Sequence, residues 1–215
     1  MGYQQGSAKN GAAGGLIGPF DFAGEFSGVT HAAPGHQSFI WVAGGRAQLR
    51  GGEVADTVEV GEAVIAPGST SVQVEAASGA RCVRLDARLL ASATADATTL
   101  EIFAPEPFAL RSVTTRVSGE ARVFAGEMFG QTSPVATGSD IVAAEIRVAP
   151  GAEIAFTLNP DFEHGFLALS EGLSLQNVEV PRGEVASTEA GTTTWGVKNA
   201  SEAWAYAVIF GGAPQ

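Results

Sequence analysis

Three histidines, His31, His36 and His164, are the side chains of this chain best suited to metal binding or proton transfer. An oxygen-activating iron site takes about three protein donors, commonly two histidines and a carboxylate on one face. His31 and His36 stand five residues apart across a Pro34-Gly35 turn, and no histidine follows until His164. This spacing favours three unrelated surface or rim histidines over one shared metal site.

Metal-free acid–base catalysis needs a base beside a polarised donor. His31, or His164 with its neighbour Glu163, could provide the base, but the sequence reveals no partner for either. Glu163-His164 follows Pro160-Asp161, which is typical of a loop that leads into a strand. We therefore assign no catalytic residue.

Cys82 is the only cysteine, so no disulfide can form within the chain. It lies in the strand-like run Arg81-Cys82-Val83-Arg84-Leu85, and nothing near it in sequence supplies a base. We expect a buried structural thiol rather than a nucleophile.

The composition excludes several classes of function. The 215 residues include 45% apolar and 16% charged side chains and carry a net charge of −11, with no basic run to neutralise phosphates. Binding to nucleic acid or to an anionic membrane is therefore not expected. Residues 1–15 lack the basic start and apolar segment of a signal peptide, which favours a cytoplasmic protein with no membrane partner.

Many short strands are predicted, because alternating and β-branched runs recur between Gly, Pro, Asn and Asp. Such a pattern is typical of a sandwich or barrel. An internal repeat supports two barrels, since Val58-Glu59-Val60-Gly61-Glu62 matches Val178-Glu179-Val180-Pro181-Arg182-Gly183-Glu184 once Gly61 is placed on Gly183. Ala77-Ser78-Gly79-Ala80 then falls close to Ala200-Ser201-Glu202-Ala203.

The domain boundary is expected near Ala104-Pro105-Glu106-Pro107, which interrupts the strand pattern. We divide the chain into a flexible tail over residues 1–18, a first barrel over 19–112 and a second over 113–215. One or two helical turns are predicted between Leu85 and Ser92.

Two stretches carry a family resemblance. The run from His31-Ala32-Ala33-Pro34-Gly35 to Gly44-Gly45 is similar to the first metal-binding motif of the pirin branch of the cupins. Val123-Phe124-Ala125-Gly126-Glu127, the Pro150-Gly151 turn and the terminal Phe210-Gly211-Gly212-Ala213-Pro214 resemble the pirin C-terminal domain. The resemblance covers about residues 28 to 214.

The resemblance implies an all-β protein of two cupin-type antiparallel β-barrels in tandem, a jelly-roll bicupin. Pirins hold one iron or other divalent metal in the N-terminal barrel through three histidines and a glutamate. Some act as quercetin 2,3-dioxygenases and others as protein-binding regulators.

Transferred position by position, the four ligands of the family fall on His31, Ala33, about Val74 and about Ala76, so that only His31 retains a donor. Glu75 would offer a carboxylate if the alignment moved by one residue. Loss of even a partner that orients a ligand costs on the order of 10- to 100-fold in metal affinity, and loss of several ligands should cost more. We expect no cofactor, with weakly bound iron or another divalent metal as the alternative.

A ligand-binding interior of the first barrel is the corresponding expectation, with Gln37, Phe39 and Trp41 facing inward and His31 as a further polar group. Alternatively, Phe39 and Trp41 simply fill the barrel. We expect binding of a small molecule or a protein, as a monomer or homodimer. The alternative is an enzyme similar to quercetin dioxygenase that uses His31, Glu75 and His36.

Overall fold

The computed structural model describes the backbone of residues 4–7 and the full residues 17–51, 54–67, 71–89, 100–112 and 117–214. These ranges are built from strands, turns and bends, which agrees with the all-β prediction. Nowhere in them is there a helix with the length and hydropathy needed to cross a membrane.

The first ten strands are β1 Gln4–Ser7, β2 Phe20–Phe26, β3 Gly28–His31, β4 His36–Gly44, β5 Arg46–Gly51, β6 Val54–Glu59, β7 Ala63–Pro67, β8 Val72–Ala76, β9 Arg81–Arg88 and β10 Glu101–Phe103. The next twelve are β11 Phe108–Arg111, β12 Val117–Ala125, β13 Glu127–Met128, β14 Gln131–Thr132, β15 Ile141–Val148, β16 Glu153–Thr157, β17 Glu163–Ala168, β18 Leu173–Leu175, β19 Val178–Glu179, β20 Glu184–Thr188, β21 Thr194–Asn199 and β22 Ala205–Gly212.

The strands form two barrels with the same topology. In the first barrel a sheet of order β10-β7-β4-β9-β2 faces a sheet of order β3-β8-β5-β6. In the second, the order β1-β20-β17-β22-β15-β12-β11 faces β16-β21-β18-β19, and β13 and β14 form a separate hairpin. The order of four strands, β7-β4-β9-β2, is repeated as β20-β17-β22-β15. The predicted duplication and the tandem bicupin architecture are confirmed.

The aligned glycines of the repeat occupy equivalent turns. Gly61 and Gly183 have φ angles of 85° and 81°, a region that glycine adopts without a steric penalty. Each is followed two residues later by Ala63 or Val185, which pair with Trp41 of β4 and Leu167 of β17. Trp41 and Leu167 are therefore equivalent.

Counting back three residues along β4 and β17 from this pair makes Ser38 of the first barrel equivalent to His164 of the second.

Three apolar clusters stabilise the molecule. One lies inside the first barrel and includes Ile40, Val42 and Val74. A second fills the other barrel around Phe166 and Trp195. The third lies between the two barrels and joins the large sheets of both.

The orientation predicted for β4 is wrong. Phe39 and Trp41 belong to the cluster shared by the two barrels, whereas Ile40 and Val42 point into the first barrel. Both faces of β4 are covered, so the strand is apolar from Phe39 to Ala43 and this run does not distinguish the two faces.

Three boundaries also differ from the predictions. Gln4–Ser7, placed in a flexible tail, pairs antiparallel with β20 in the second barrel. Sheet membership changes between Phe103 and Phe108, so β11, assigned to the first barrel, extends the sheet of the second. Leu85 to Arg88 continues strand β9 rather than forming a helical turn; residues 90–92 of that prediction lie outside the described ranges.

Candidate functional site

The positions that the resemblance to pirins assigns to metal ligands lie on β3, on β8 and before β4. Val74 and Ala76 point into the first barrel but have no donor atom, and Ala33 lies in the turn before β4. His31 is exposed, because its neighbour Thr30 takes the inward position on β3. Within the described residues, no three His, Cys, Asp or Glu side chains are close enough to hold a metal ion.

An ion pair occupies the polar part of the first barrel. Asp86 is 2% exposed and accepts hydrogen bonds from Arg84 Nε, at 3.0 Å, and from Ser38 Oγ, at 2.6 Å. Arg84 Nη1 also donates to Thr30 Oγ1 at 2.8 Å. Because a guanidinium already neutralises the buried carboxylate, this cluster does not fit a divalent cation.

The four residues predicted to bind a ligand are dispersed. His31 faces outward on β3, and Phe39 and Trp41 are fully buried between the barrels. Gln37 is 2% exposed and hydrogen-bonds to the backbone of the loop before β15. The structure therefore does not bring these side chains together around a cavity in the first barrel.

His36 forms part of an ionic cluster instead. Its Nε2 donates to Asp21 Oδ2 at 2.7 Å, its Nδ1 lies 2.9 Å from the Pro34 carbonyl oxygen, and Arg88 binds the same carboxylate at 2.6 and 2.8 Å. The Arg88 hydrogen bond is the main cause that lowers the pKa of Asp21 to about 2. Burial works against a charged His36, but its hydrogen bonds to Asp21 and Pro34 outweigh it and raise its pKa.

Cys82 is fully buried in the first barrel, as predicted. Burial raises the pKa of its thiol to about 11, so it stays protonated at neutral pH and is a poor nucleophile.

The second barrel contains a cavity of about 550 Å³. The cavity lies where the β13–β14 hairpin, the end of β16 and the beginnings of β15 and β17 meet, and this volume is within the range of small-molecule sites. Its lining is mixed. The apolar side chains are Met128, Phe129, Ile141, Val142, Leu158 and Phe162, and the polar ones are Glu127, Thr137, Ser139, Asp140, Thr157, Asn159 and His164.

His164 is the most unusual residue of this cavity. It is fully buried, and among the described residues neither ring nitrogen has a hydrogen-bond partner in good geometry. Burial lowers its pKa to about 4, since the Phe162 carbonyl favours the protonated form only weakly. At neutral pH the ring is therefore uncharged, with one nitrogen free to donate and the other free to accept.

The backbone opposite His164 makes room for its ring. His164 pairs with Gly211 of β22, and a Cβ at Gly211 would lie 2.9 Å from the ring Cδ2. At the equivalent place in the first barrel, Ser38 pairs with Asp86. The duplicated position is thus a closed polar cluster in one barrel and an unpaired imidazole in the other.

Aromatic side chains surround this imidazole. The ring centroids of Trp195 and Phe162 lie 5.8 and 6.2 Å from that of His164. Phe156 packs edge-on against Phe129 at 5.0 Å and contacts Trp195 at 6.4 Å. This row of rings extends from the rim of the cavity to its interior.

One wall of the cavity is held by the first barrel. Gln37 Oε1 accepts a hydrogen bond from the Gly138 amide at 3.0 Å, and its Nε2 donates to the Ala136 carbonyl at 3.4 Å. Ser139 Oγ donates to the Arg88 carbonyl at 2.7 Å. Gln37 therefore positions the wall of a cavity that it does not line.

Sequence reasoning noted Glu163-His164 but interpreted it as the start of a strand. His164 does start β17, yet it points into the barrel beside Phe166. The repeat found in the sequence did not align His164 with Ser38; that equivalence comes from the pairing of the strands. The Phe129 hairpin and the loop over residues 136–140 had no signal in the sequence, because they have no counterpart in the alternating strand pattern.

Known structures with a similar fold are two-barrel proteins. No family model and no curated protein sequence matches the chain. A quercetin 2,3-dioxygenase from Acinetobacter baumannii superposes with a TM-score of 0.78 at 17% identity, covering 99% of this chain and 79% of that one.

A bacterial pirin from Escherichia coli in complex with nickel(II) has a TM-score of 0.64 at 9% identity, with 99% and 93% covered. For an oxalate decarboxylase from Bacillus subtilis the values are 0.56 and 11%, with 88% and 67% covered. At these identities the similarity concerns the fold alone. The chain has the fold of the cupins, with two jelly-roll barrels in tandem.

Proposed function

We propose that this chain is a metal-independent bicupin that binds a small organic molecule in its second barrel. The observation that carries the proposal is the cavity of about 550 Å³ with the buried, unpaired His164 in its lining. Buried polar groups are nearly always hydrogen-bonded, so a buried imidazole in the lining of a cavity, with no partner in good geometry among the described residues, supports a partner from outside the chain. The lining also combines aromatic side chains, which can contact an organic molecule, with polar groups that can orient it.

The absence of metal chemistry in the first barrel is part of the same proposal. Its support is the Arg84–Asp86 pair, together with Val74 and Ala76 where pirins have ligands. The alternative, a quercetin dioxygenase-like enzyme with a weakly held metal, would need His31, Glu75 and His36 as ligands, and their positions do not support it. His31 and Glu75 are exposed, and His36 is engaged by Asp21.

Metal content and ligand binding test the two halves of the proposal separately. We expect elemental analysis of the purified full chain, after dialysis against iron, nickel or manganese salts, to find far less than one metal ion per chain. A stoichiometric ion whose retention depends on His31 would contradict the metal-independent reading.

Ligand-observed NMR with a library of small aromatic and aliphatic compounds tests the cavity. We expect a set of binders that compete with one another and lose affinity in Thr157→Trp, which places an indole at the exposed rim of the cavity. The matched control is Val178→Trp, at an exposed position of β19 outside the cavity lining, which should leave binding unchanged. Equal binding to both variants would contradict the site, and no binder at all would contradict the function.

A further inference from the structure

We infer that the ligand of this cavity is a planar aromatic molecule that carries a positively charged group. The inference rests on the proposed function and names the chemical class that the second barrel would take.

The rim of the cavity carries negative charge. Glu127 and Asp140 both line it, both are exposed, and no salt bridge among the described residues includes either of them. In the described part of the chain, the lining contains no Lys or Arg. An anionic ligand would therefore meet two unneutralised carboxylates, whereas a cationic group would be attracted to them.

The interior favours a flat, apolar body. Phe129 and Phe162 line the cavity, and Phe156 and Trp195 extend the row of rings behind them. Aromatic rings interact well with another ring in stacked or edge-on geometry, and their faces also attract cations. The interior thus suits the ring system of the ligand, and the rim suits its charge.

His164 is an independent sign that a polar atom of the ligand reaches the interior. Its ring is fully buried, uncharged at neutral pH and without a partner in good hydrogen-bonding geometry in the described part of the chain. The accepting nitrogen would take a hydrogen bond from a ring N–H or hydroxyl of the ligand.

The rim is held in a fixed shape. Phe129 has a φ of 57°, which is uncommon for a residue other than glycine, and Gly130 follows with a φ of 72°. Gly126 has a φ of 64°, and a Cβ there would lie 1.9 Å from the Ile141 carbonyl oxygen. Such strained positions persist where surrounding structure holds them, and they are concentrated at ligand sites.

Three indoles of similar size, whose short side chains end in groups of different charge, test the inference: tryptamine is cationic, tryptophol neutral and indole-3-acetate anionic. Titration calorimetry at pH 7.5 and low ionic strength should find tryptamine about tenfold tighter than indole-3-acetate, with tryptophol between them. Added salt should weaken the binding of tryptamine and leave the affinity for tryptophol unchanged.

The variant Glu127→Gln/Asp140→Asn should reduce the preference for the cation to less than about twofold without changing tryptophol affinity, because both side chains are exposed. Thr157→Trp should weaken all three indoles. Equal affinities, or tighter binding of the anion, would overturn the charge assignment while leaving a ligand site in place. If no indole binds but the compound library does, the aromatic class is wrong, whereas a library without any binder at this cavity overturns the proposed function itself.

Discussion

Ser38 and His164 occupy equivalent positions in the two barrels but have opposite environments. Ser38 is satisfied by Asp86, and the carboxylate is in turn satisfied by Arg84. His164 faces Gly211, which offers no side chain, and its ring remains unpaired beside the cavity.

The pH dependence of stability should show how unfavourable protonation of His164 is. Its pKa is about 4 in the folded chain and 6.5 in the unfolded chain, so the folded state resists protonation. The contribution of His164 to the free energy of unfolding is fully present above pH 6.5. It falls by about 3 kcal/mol as the pH decreases from 6.5 to 4, because only the unfolded chain takes up the proton in that window.

Urea unfolding at several pH values, with and without His164→Phe, measures this contribution. Between pH 4 and 6.5, the free energy of unfolding of the wild-type chain should fall more steeply than titration of its carboxylates explains. The His164→Phe variant should lose this additional slope. His31→Phe serves as the control, because it replaces an exposed histidine outside the cavity by the same residue. Parallel pH profiles for all three proteins would contradict the assigned environment of His164.

The Arg84–Asp86 pair should be costly to break from one side. Asp86→Asn leaves the guanidinium in the barrel without its counter-charge, and we expect a loss of about 3 kcal/mol in the free energy of unfolding. The double variant Arg84→Met/Asp86→Leu should lose less free energy of unfolding than Asp86→Asn, because it leaves no unpaired charge.

Urea unfolding at neutral pH measures both effects. Arg182→Ala breaks the exposed pair with Glu25 and should cost less than about 1 kcal/mol, which makes it the matched surface control. If Asp86→Asn cost no more than this control, the pair would not be a buried ionic unit.

At the scale of elements, the loop over residues 136–140 determines one wall of the cavity. Gln37 of the first barrel binds its backbone at Ala136 and Gly138, and the Ser139 hydroxyl donates to the Arg88 carbonyl of the same barrel. The Asp140 carbonyl accepts from the Ala213 amide of the second barrel. We therefore expect ligand binding at the cavity to depend on the packing of β4 in the first barrel.

Removal of the Gln37 hydrogen bonds should loosen this wall. In Gln37→Met the side-chain volume is nearly retained, but the Gly138 amide loses its acceptor, so its hydrogen exchange should accelerate about tenfold. Affinity for cavity ligands should fall at the same time, since the loop must be reordered on binding.

Exchange of the Gly138 amide followed by NMR, and binding followed by titration calorimetry, check these two expectations. Gln48→Met removes a comparable hydrogen bond to Thr57 on the exposed side of the first barrel and should change neither quantity. An unaltered Gly138 exchange rate in Gln37→Met would show that the loop holds its shape without the glutamine.

At the scale of the molecule, the two barrels share an apolar core. Trp41 of the first barrel stacks on Phe124 of the second, with ring centroids 5.1 Å apart and planes inclined by 9°. Phe20 meets Phe210 edge-on at 5.3 Å. Because both barrels lose buried apolar surface if either unfolds, we expect one cooperative unfolding transition.

Trp41→Ala should lower stability by about 3–5 kcal/mol and separate the unfolding of the two barrels. Scanning calorimetry detects this as two overlapping transitions in place of one. Trp204→Ala is the control, since Trp204 is 46% exposed and its loss should leave a single transition near the original temperature. A single, unshifted transition in Trp41→Ala would contradict the shared core.

The sequence by itself determined the all-β class, the duplication and the buried, unreactive Cys82. These follow from local signals, since strand alternation, turn glycines such as Gly61 and Gly183 and a repeat are all written along the chain. It also identified Ala33, Val74 and Ala76 as side chains without donor atoms, which depends only on residue type.

Only the tertiary structure decided which face of β4 points inward and which barrel has the cavity. Phe39 and Ile40 are alike in hydropathy, so a strand covered on both sides carries no mark of its inner face. The association of Gln37 with Gly138, about a hundred residues apart, and the gap that Gly211 leaves for His164 arise when two sheets pack. Such contacts depend on distances across the fold, which no local pattern encodes.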